Sequence, residues 1–157
     1  DCGSIFIDAT SGTIEIEKAM ELNIEASNAK IRIEEVEEIM ADVLLSDLKI
    51  RKLKMKLDVQ SKMGDVHVSG IDANFTNMVL DVSNGDISLE FDEKSNFLFA
   101  IDIEKPKIIV NDASFVFTDD DKLDIFRNID GKKGESTVEK LRITGKSCGV
   151  NLDVKGD

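Results

Sequence analysis

The chain has 157 residues, 41% of them hydrophobic, with 32 acidic against 20 basic side chains and a formal net charge of −12. That charge opposes nonspecific attachment to nucleic acid or an anionic membrane, and no run approaches the roughly 20 apolar residues needed to span a bilayer. The length fits one domain with a substantial core, and apolar content that is mostly Ile, Leu and Val, with no Trp or Tyr, favours pleated sheet over long helix.

From the N-terminus, a pattern of apolar-x-apolar, a short polar corner, then apolar-x-apolar recurs. Around Gly12 the four apolar places are Ile5, Ile7, Ile14 and Ile16; around Ala29 they are Leu22, Ile24, Ile31 and Ile33; around Ser46 they are Ile39, Ala41, Leu48 and Ile50. Gly64 is flanked by Leu57, Val59, Val66 and Val68, Gly85 by Met78, Leu80, Ile87 and Leu89, and Pro106 by Phe99, Ile101, Ile108 and Val110. Successive markers lie 17, 17, 18, 21 and 21 residues apart. At Arg127 the pattern fails on Asp120, Lys122 and Gly131, and at Cys148 it returns with Leu141, Ile143, Val150 and Leu152.

Period-two alternation puts the named residues on one side of each strand and Glu15, Lys30, Arg32, Lys49, Asp65, Asp86 and Asn151 on the other. Strands returning at a fixed interval bury their apolar faces and satisfy their edges against one another. The expected fold is therefore all-β: a single-domain parallel β-solenoid (β-helix) over 1–157, right-handed by analogy with other parallel connections, of about 7–8 coils with periods of 17–21 residues.

Three segments need separate reading. In 34–48, EEVEEIMADVLLSDL, a partly helical spacing coexists with the repeat, and the strand is preferred over a short surface helix at 34–40. The longer coils carry ANFTNM (73–78), SNFLFA (95–100) and ASFVFT (113–118), placing Phe75, Phe97, Phe115 and Phe117 as fillers of a widening core. The segment 118–136, TDDDKLDIFRNIDGKKGES, reads as an irregular insertion or distorted coil, where a regular scaffold has room for a functional loop.

Candidate chemistry is sparse. Asp119, Asp120, Asp121 and Asp124 are the candidate interaction or cation loop: carboxylates suit a hard cation, but EF-hand spacing is absent and adjacent side chains on extended chain cannot all face one ion. His67, the only histidine, points outward between Val66 and Val68 and has no Ser/Asp partnership. Cys2 and Cys148 fall near opposite ends of the expected stack, about seven strand spacings of roughly 4.8 Å apart, so independent thiols are expected, with an intermolecular bond through Cys2 left open. No catalytic residue, cofactor or metal is expected. Four arginines leave little for a basic groove, so no nucleic-acid partner is expected either.

SGTIEIE (11–17), KMGDVHV (62–68), SNGDISLEF (83–91) and LRITGKSCGVNLDV (141–154) together resemble the bacterial DUF4097 family of adhesin-like (LiaG-like) β-solenoid domains, over nearly the whole chain. The resemblance implies a parallel β-solenoid in an extracytoplasmic or cell-envelope-associated setting, and it brings no catalytic motif. The leading functional expectation is a noncatalytic cell-surface or envelope interaction module whose partner is an unknown protein or surface glycan, without direct membrane insertion by this stretch of chain. The alternatives are a scaffold that self-associates through the solenoid ends and a carbohydrate-binding or carbohydrate-cleaving β-helix. No signal peptide is visible, and with no initiator Met at Asp1 that carries no weight about the complete gene product.

Overall fold

The computed structural model describes residues 2–155, with Cys2 described in its backbone alone. Alternation turns into strand along almost the whole chain. The fourteen strands are β1 (Cys2–Ala9), β2 (Gly12–Ser27), β3 (Ala29–Leu44), β4 (Asp47–Ile50), β5 (Leu53–Lys62), β6 (Val66–Ile71) and β7 (Asn77–Ser83), followed by β8 (Asp86–Phe91), β9 (Phe97–Glu104), β10 (Ile109–Asn111), β11 (Phe115–Leu123), β12 (Phe126–Lys133), β13 (Glu139–Lys146) and β14 (Gly149–Val154). The segment weighed as a surface helix lies within β3.

β3 is the branch point. Its first part, Lys30–Ile33, pairs with β4, and its second, from Val36 to Leu44, pairs with β5. One row continues β4-β6-β8-β14-β10 and the other β5-β7-β13-β9-β12-β11, with β2 and β1 stacked on the other side of β3. Leu53 on β5 also pairs with Ile71 on β6, which closes β3, β4, β6 and β5 into a small ring.

These pairings correct the expected fold. The structure is an all-β domain with a small closed four-stranded parallel barrel and ten peripheral strands, and it is not a β-solenoid of 7–8 successive coils. Chain order and spatial order part company after β8: the C-terminal β13 and β14 insert between β7–β8 and β9–β10. β12 runs antiparallel to both β9 and β11, so 118–136 holds a hairpin. Alternation dictates which face of a strand is buried but leaves its neighbour open, and equivalent rungs can exchange places. Pro106, which has no N–H to give a ladder, lies just ahead of the three-residue edge strand β10, and the charged β11 takes the other edge; both are features that sheet edges tolerate.

Pro106 also precedes a change of register. Ile109 pairs with Val150 and Asn111 with Leu152, so Ile109 turns toward the core while Ile108 and Val110, expected inside, are 69% and 50% exposed. A one-residue slip reverses the two faces of a strand. The column Ile31, Leu48, Val66 and Ile87 is buried throughout, and Ile14 at its end is partly buried.

The corners explain the small residues of the repeat. Asn28, Leu45, Met63, Asn84, Lys105 and Ser147 are all left-handed, with φ between 51° and 57°, a conformation that costs a non-glycine residue roughly 1 kcal/mol or more. The cost is offset by a continuous ladder: Asn28 N donates to Leu44 O, Leu45 N to Lys62 O, Met63 N to Ser83 O, Asn84 N to Lys146 O and Ser147 N to Glu104 O, each at 2.8–2.9 Å. After the left-handed residue the backbones nearly touch. A Cβ on Gly64 would run into the Ser46 carbonyl, and one on Gly85 into the Gly64 carbonyl. Aspartates one place further on reinforce the stack, with Asp65 N donating to Asp47 Oδ1 (3.0 Å), Asp86 N to Asp65 Oδ1 (2.8 Å) and Gly149 N to Asp86 Oδ1 (3.1 Å).

Three aspartate turns seat the aromatic core. Asp72, Asp92 and Asp112 accept the N–H of Asn74, Lys94 and Ser114 through their carboxylates at 2.8–2.9 Å, and Phe75 and Phe115 follow directly into the interior. Phe75, Phe91, Phe97, Phe99 and Phe115 are buried, with neighbouring ring centroids 4.8–6.4 Å apart, and Phe117 packs against them at the margin.

Because the obstacle at Gly85 is backbone, Gly85→Ala is expected to cost about 3 kcal/mol or prevent folding. Gly3→Ala, where a Cβ would meet nothing within 4 Å, is expected to change stability by less than about 0.5 kcal/mol. Urea unfolding of the two variants checks the contrast.

Candidate functional site

The outer face of the barrel gathers cations from separate parts of the chain. Parallel register places Glu15 beside Arg32, Arg32 beside Lys49, Lys49 beside His67 and His67 beside Ser88. Val66 and Val68 are buried, which turns His67 outward as expected. Neighbouring strands sit about 4.8 Å apart, so a guanidinium, an ammonium and an imidazole share one short column. Together with Arg51, Ser69, Ile33 and Glu34 they line an open groove of about 480 Å³.

The pairing of these cations is uneven. Arg51 Nη1 lies 2.9 Å from Glu34 Oε2 and Arg32 Nη1 3.7 Å from Glu15 Oε1. Among the described residues, neither Lys49 nor His67 makes a side-chain hydrogen bond or ion pair. Like charges side by side on a sheet oppose each other, and this chain has acidic residues to spare. The stacked Asp47, Asp65 and Asp86 run along one side of the groove, and beyond Glu34 on the other Glu17 and Glu90 are interspersed with Lys18, Lys52 and Lys54.

No basic groove was expected, because the cations are scattered in sequence. The signal was the interval itself: Arg32 and Lys49 are 17 residues apart and Lys49 and His67 are 18 apart, the spacing of the markers around them. A neighbouring groove contains a neutralised cluster, with Glu35 held by Lys54 (2.7 Å), Lys18 (3.4 Å) and Lys52 (3.7 Å). The hydrogen bond from Lys54 leads in lowering the Glu35 pKa.

The acidic loop proposed from sequence is dispersed by its hairpin. Asp119 pairs with Asp130, Asp120 with Ile129 and Asp121 with Asn128, so Asp120 faces the opposite way from Asp119 and Asp121. Asp120 is held by Arg127 in a two-point bond of 3.0 and 2.9 Å, and Asp124 is the left-handed residue of the turn. Among the described residues no group of three or more His, Cys, Asp or Glu side chains is arranged to hold a metal ion.

The remaining chemically interesting groups are built into the fold. Lys133 is 3% exposed and donates to the carbonyls of Glu93 (2.8 Å) and Ser95 (3.0 Å), tying β12 to the turn before β9; burial lowers its pKa. The Cys148 thiol is free and buried, and desolvation, aided by Asp86, pushes its pKa up to about 11, which makes it a poor nucleophile. The side chain of Cys2, and with it the intermolecular bond left open for it, lies outside the described residues.

The groove thus lies on the outer face of a β scaffold whose Phe75, Phe91, Phe97, Phe99 and Phe115 rings are packed inside. The family model of Toastrack DUF4097 matches residues 2–122, and the chain belongs to that family. Membership carries a noncatalytic, adhesin-like or envelope-associated role. No curated protein and no solved structure matches the chain.

The Asp120–Arg127 pair gives a signed pH prediction. The hydrogen bond from Arg127 holds the Asp120 carboxyl below the usual carboxylate range. Its stabilisation is therefore present above the ordinary Asp value and lost as pH falls through the lowered folded one. Asp120→Asn is expected to cost about 1 kcal/mol at neutral pH, with the difference from the parent fading as pH falls below the ordinary carboxylate range. Urea midpoints across that range measure it.

Proposed function

We propose that the protein is an extracytoplasmic interaction module of the cell envelope that binds a partner, a protein or a surface glycan, through the Arg32–Lys49–Arg51–His67 face. The observation that carries this reading is a cluster of basic side chains, Arg32, Lys49 and Arg51, beside His67 on the barrel of a strongly acidic molecule, with Lys49 lacking a counter-charge among the described residues. The barrel is a rigid support, since both strand edges of β4 and of β6 are already paired. Purified protein is expected to co-sediment with isolated bacterial envelope, and Lys49→Glu with Arg51→Glu to weaken that binding at least tenfold, on the order of 1.4 kcal/mol. Binding unchanged by the double reversal would refute the assignment of the face.

One end of the sheet favours a second reading, self-association. β1 pairs only with β2 and leaves its other edge open. Its sequence CGSIFIDA carries a single charge, at Asp8, and Phe6 is 62% exposed. Ile5, Ile7, Ile14 and Ile16 are only partly buried at this end. The opposite edge, β11, carries Asp119, Asp120, Asp121 and Lys122, the kind of charge that discourages edge-to-edge pairing. Two β1 edges would join antiparallel in a dimer. Light scattering should then show mass rising with concentration for the parent and a constant monomer for Phe6→Glu; a parent that stays monomeric would remove this reading.

Aromatic carbohydrate platforms have little support, because Phe75, Phe97 and Phe115 are in the core and Phe117 packs at its margin.

A further inference from the structure

We infer that the groove on the barrel is a site for a phosphorylated sugar of an envelope glycan, with the phosphate on the Arg32–Lys49–His67 column and the sugar hydroxyls on the neighbouring aspartates. This deepens the proposed binding face and rests on it. The groove is rich in donors: Arg32 presents a planar fork, Lys49 an ammonium and His67 an imidazole, with the Arg51 guanidinium held at one side by Glu34. Guanidinium and ammonium groups lining one groove match the several oxygens of a phosphate. Arg32 and Lys49 lie on adjacent strands, as do Lys49 and His67, so the column spans about 10 Å, the scale of one phosphate ester and not of a chain of them.

The borders set the rest of the ligand. On β4, Asp47 lies two residues before Lys49, and Asp65 lies two residues before His67, a separation of about 7 Å on the same outward face. Asp47 and Asp65 each give one carboxylate oxygen, Oδ1, to a backbone N–H of the next strand, which leaves Oδ2 to accept from hydroxyls. A sugar ring bridges such a distance. The Asp47–Asp65–Asp86 row repels an extended polyanion, which disfavours both a duplex and a continuous anionic membrane surface. Trp and Tyr are absent and the Phe cluster is internal, so a glycan held here is recognised through charge and hydroxyls instead of stacking.

His67 is the only histidine, so its imidazole signals in a proton NMR spectrum report on the site without assignment of the rest. Titrations at one fixed pH with a hexose 6-phosphate, inorganic phosphate, the unphosphorylated hexose and vesicles containing an anionic phospholipid separate the possible sources of the oxyanion. A saturable His67 shift with the hexose phosphate is expected, at least tenfold tighter than with inorganic phosphate and absent with the hexose. Lys49→Ala is expected to weaken it at least tenfold. Asp47→Asn, which keeps an oxygen for the Asp65 N–H, is expected to erode the preference over inorganic phosphate. Equal affinity for the two phosphates, a response to vesicles alone, or no His67 shift would each overturn the inference. If envelope binding that depends on Lys49 and Arg51 persists in that case, the binding face stands and only its ligand class falls.

Discussion

Parallel, in-register pairing is the constraint on which this molecule depends. It places each residue beside its equivalent in the next strand, so side chains occur as columns and every column must suit a repeat distance of about 4.8 Å. Inside, aliphatic side chains meet that demand, as Ile31, Leu48, Val66 and Ile87 do. At the corners the backbone stacks so closely that Gly64 and Gly85 have no room for a Cβ. The left-handed residues before them convert a local cost into hydrogen bonds between rungs. At Gly64 and Gly85 a left-handed residue, a glycine and an aspartate follow one another and form one device, and the left-handed residue recurs without that pair at Asn28, Leu45, Lys105 and Ser147.

Closure and capping determine how the columns end. The Leu53–Ile71 pairing shuts four strands into a barrel, giving the centre of the sheet a support that no open edge can disturb. Toward β11 the antiparallel hairpin ends one row with a charged strand, and the Asp120–Arg127 pair links its two arms. Toward β1 the apolar column tapers into partly buried isoleucines. The two ends therefore differ in chemistry, one guarded by charge and the other close to neutral.

Much of this was legible because alternation and interval are local quantities. The buried pairs around Ala29, Ser46, Gly64, Gly85 and Cys148 follow directly from period two, and the phenylalanines proposed as core fillers do fill it. The order of strands in space was not legible. Leu141, Ile143, Val150 and Leu152 fit the interior at any rung, and only the relative quality of the competitors sends them between β7–β8 and β9–β10, ahead of a rung burdened by Pro106. The slip that exposes Ile108 and Val110 was hidden for a related reason: IIV places apolar residues on both faces, and the pattern cannot choose between them. For the acidic candidates, adjacency on extended chain already argued against a shared ion, and β11 sends Asp119 and Asp120 to opposite sides.

The basic groove shows the converse. Arg32, Lys49 and His67 look unrelated along the chain, and composition alone argues against any cationic site in a molecule of net charge −12. Register makes them neighbours, since residues one interval apart share a column whatever their chemistry. The outer face is relieved of packing demands, so its columns are free to vary, and a column that accumulates like charge does so against electrostatic cost. An acidic column is unremarkable here, and its aspartates are partly engaged by backbone N–H groups. In the neighbouring column Arg32 and Lys49 stand side by side, and among the described residues neither Lys49 nor His67 makes a side-chain bond that accounts for its place there. The unequal treatment of two adjacent columns on one rigid face is what supports the proposed binding face.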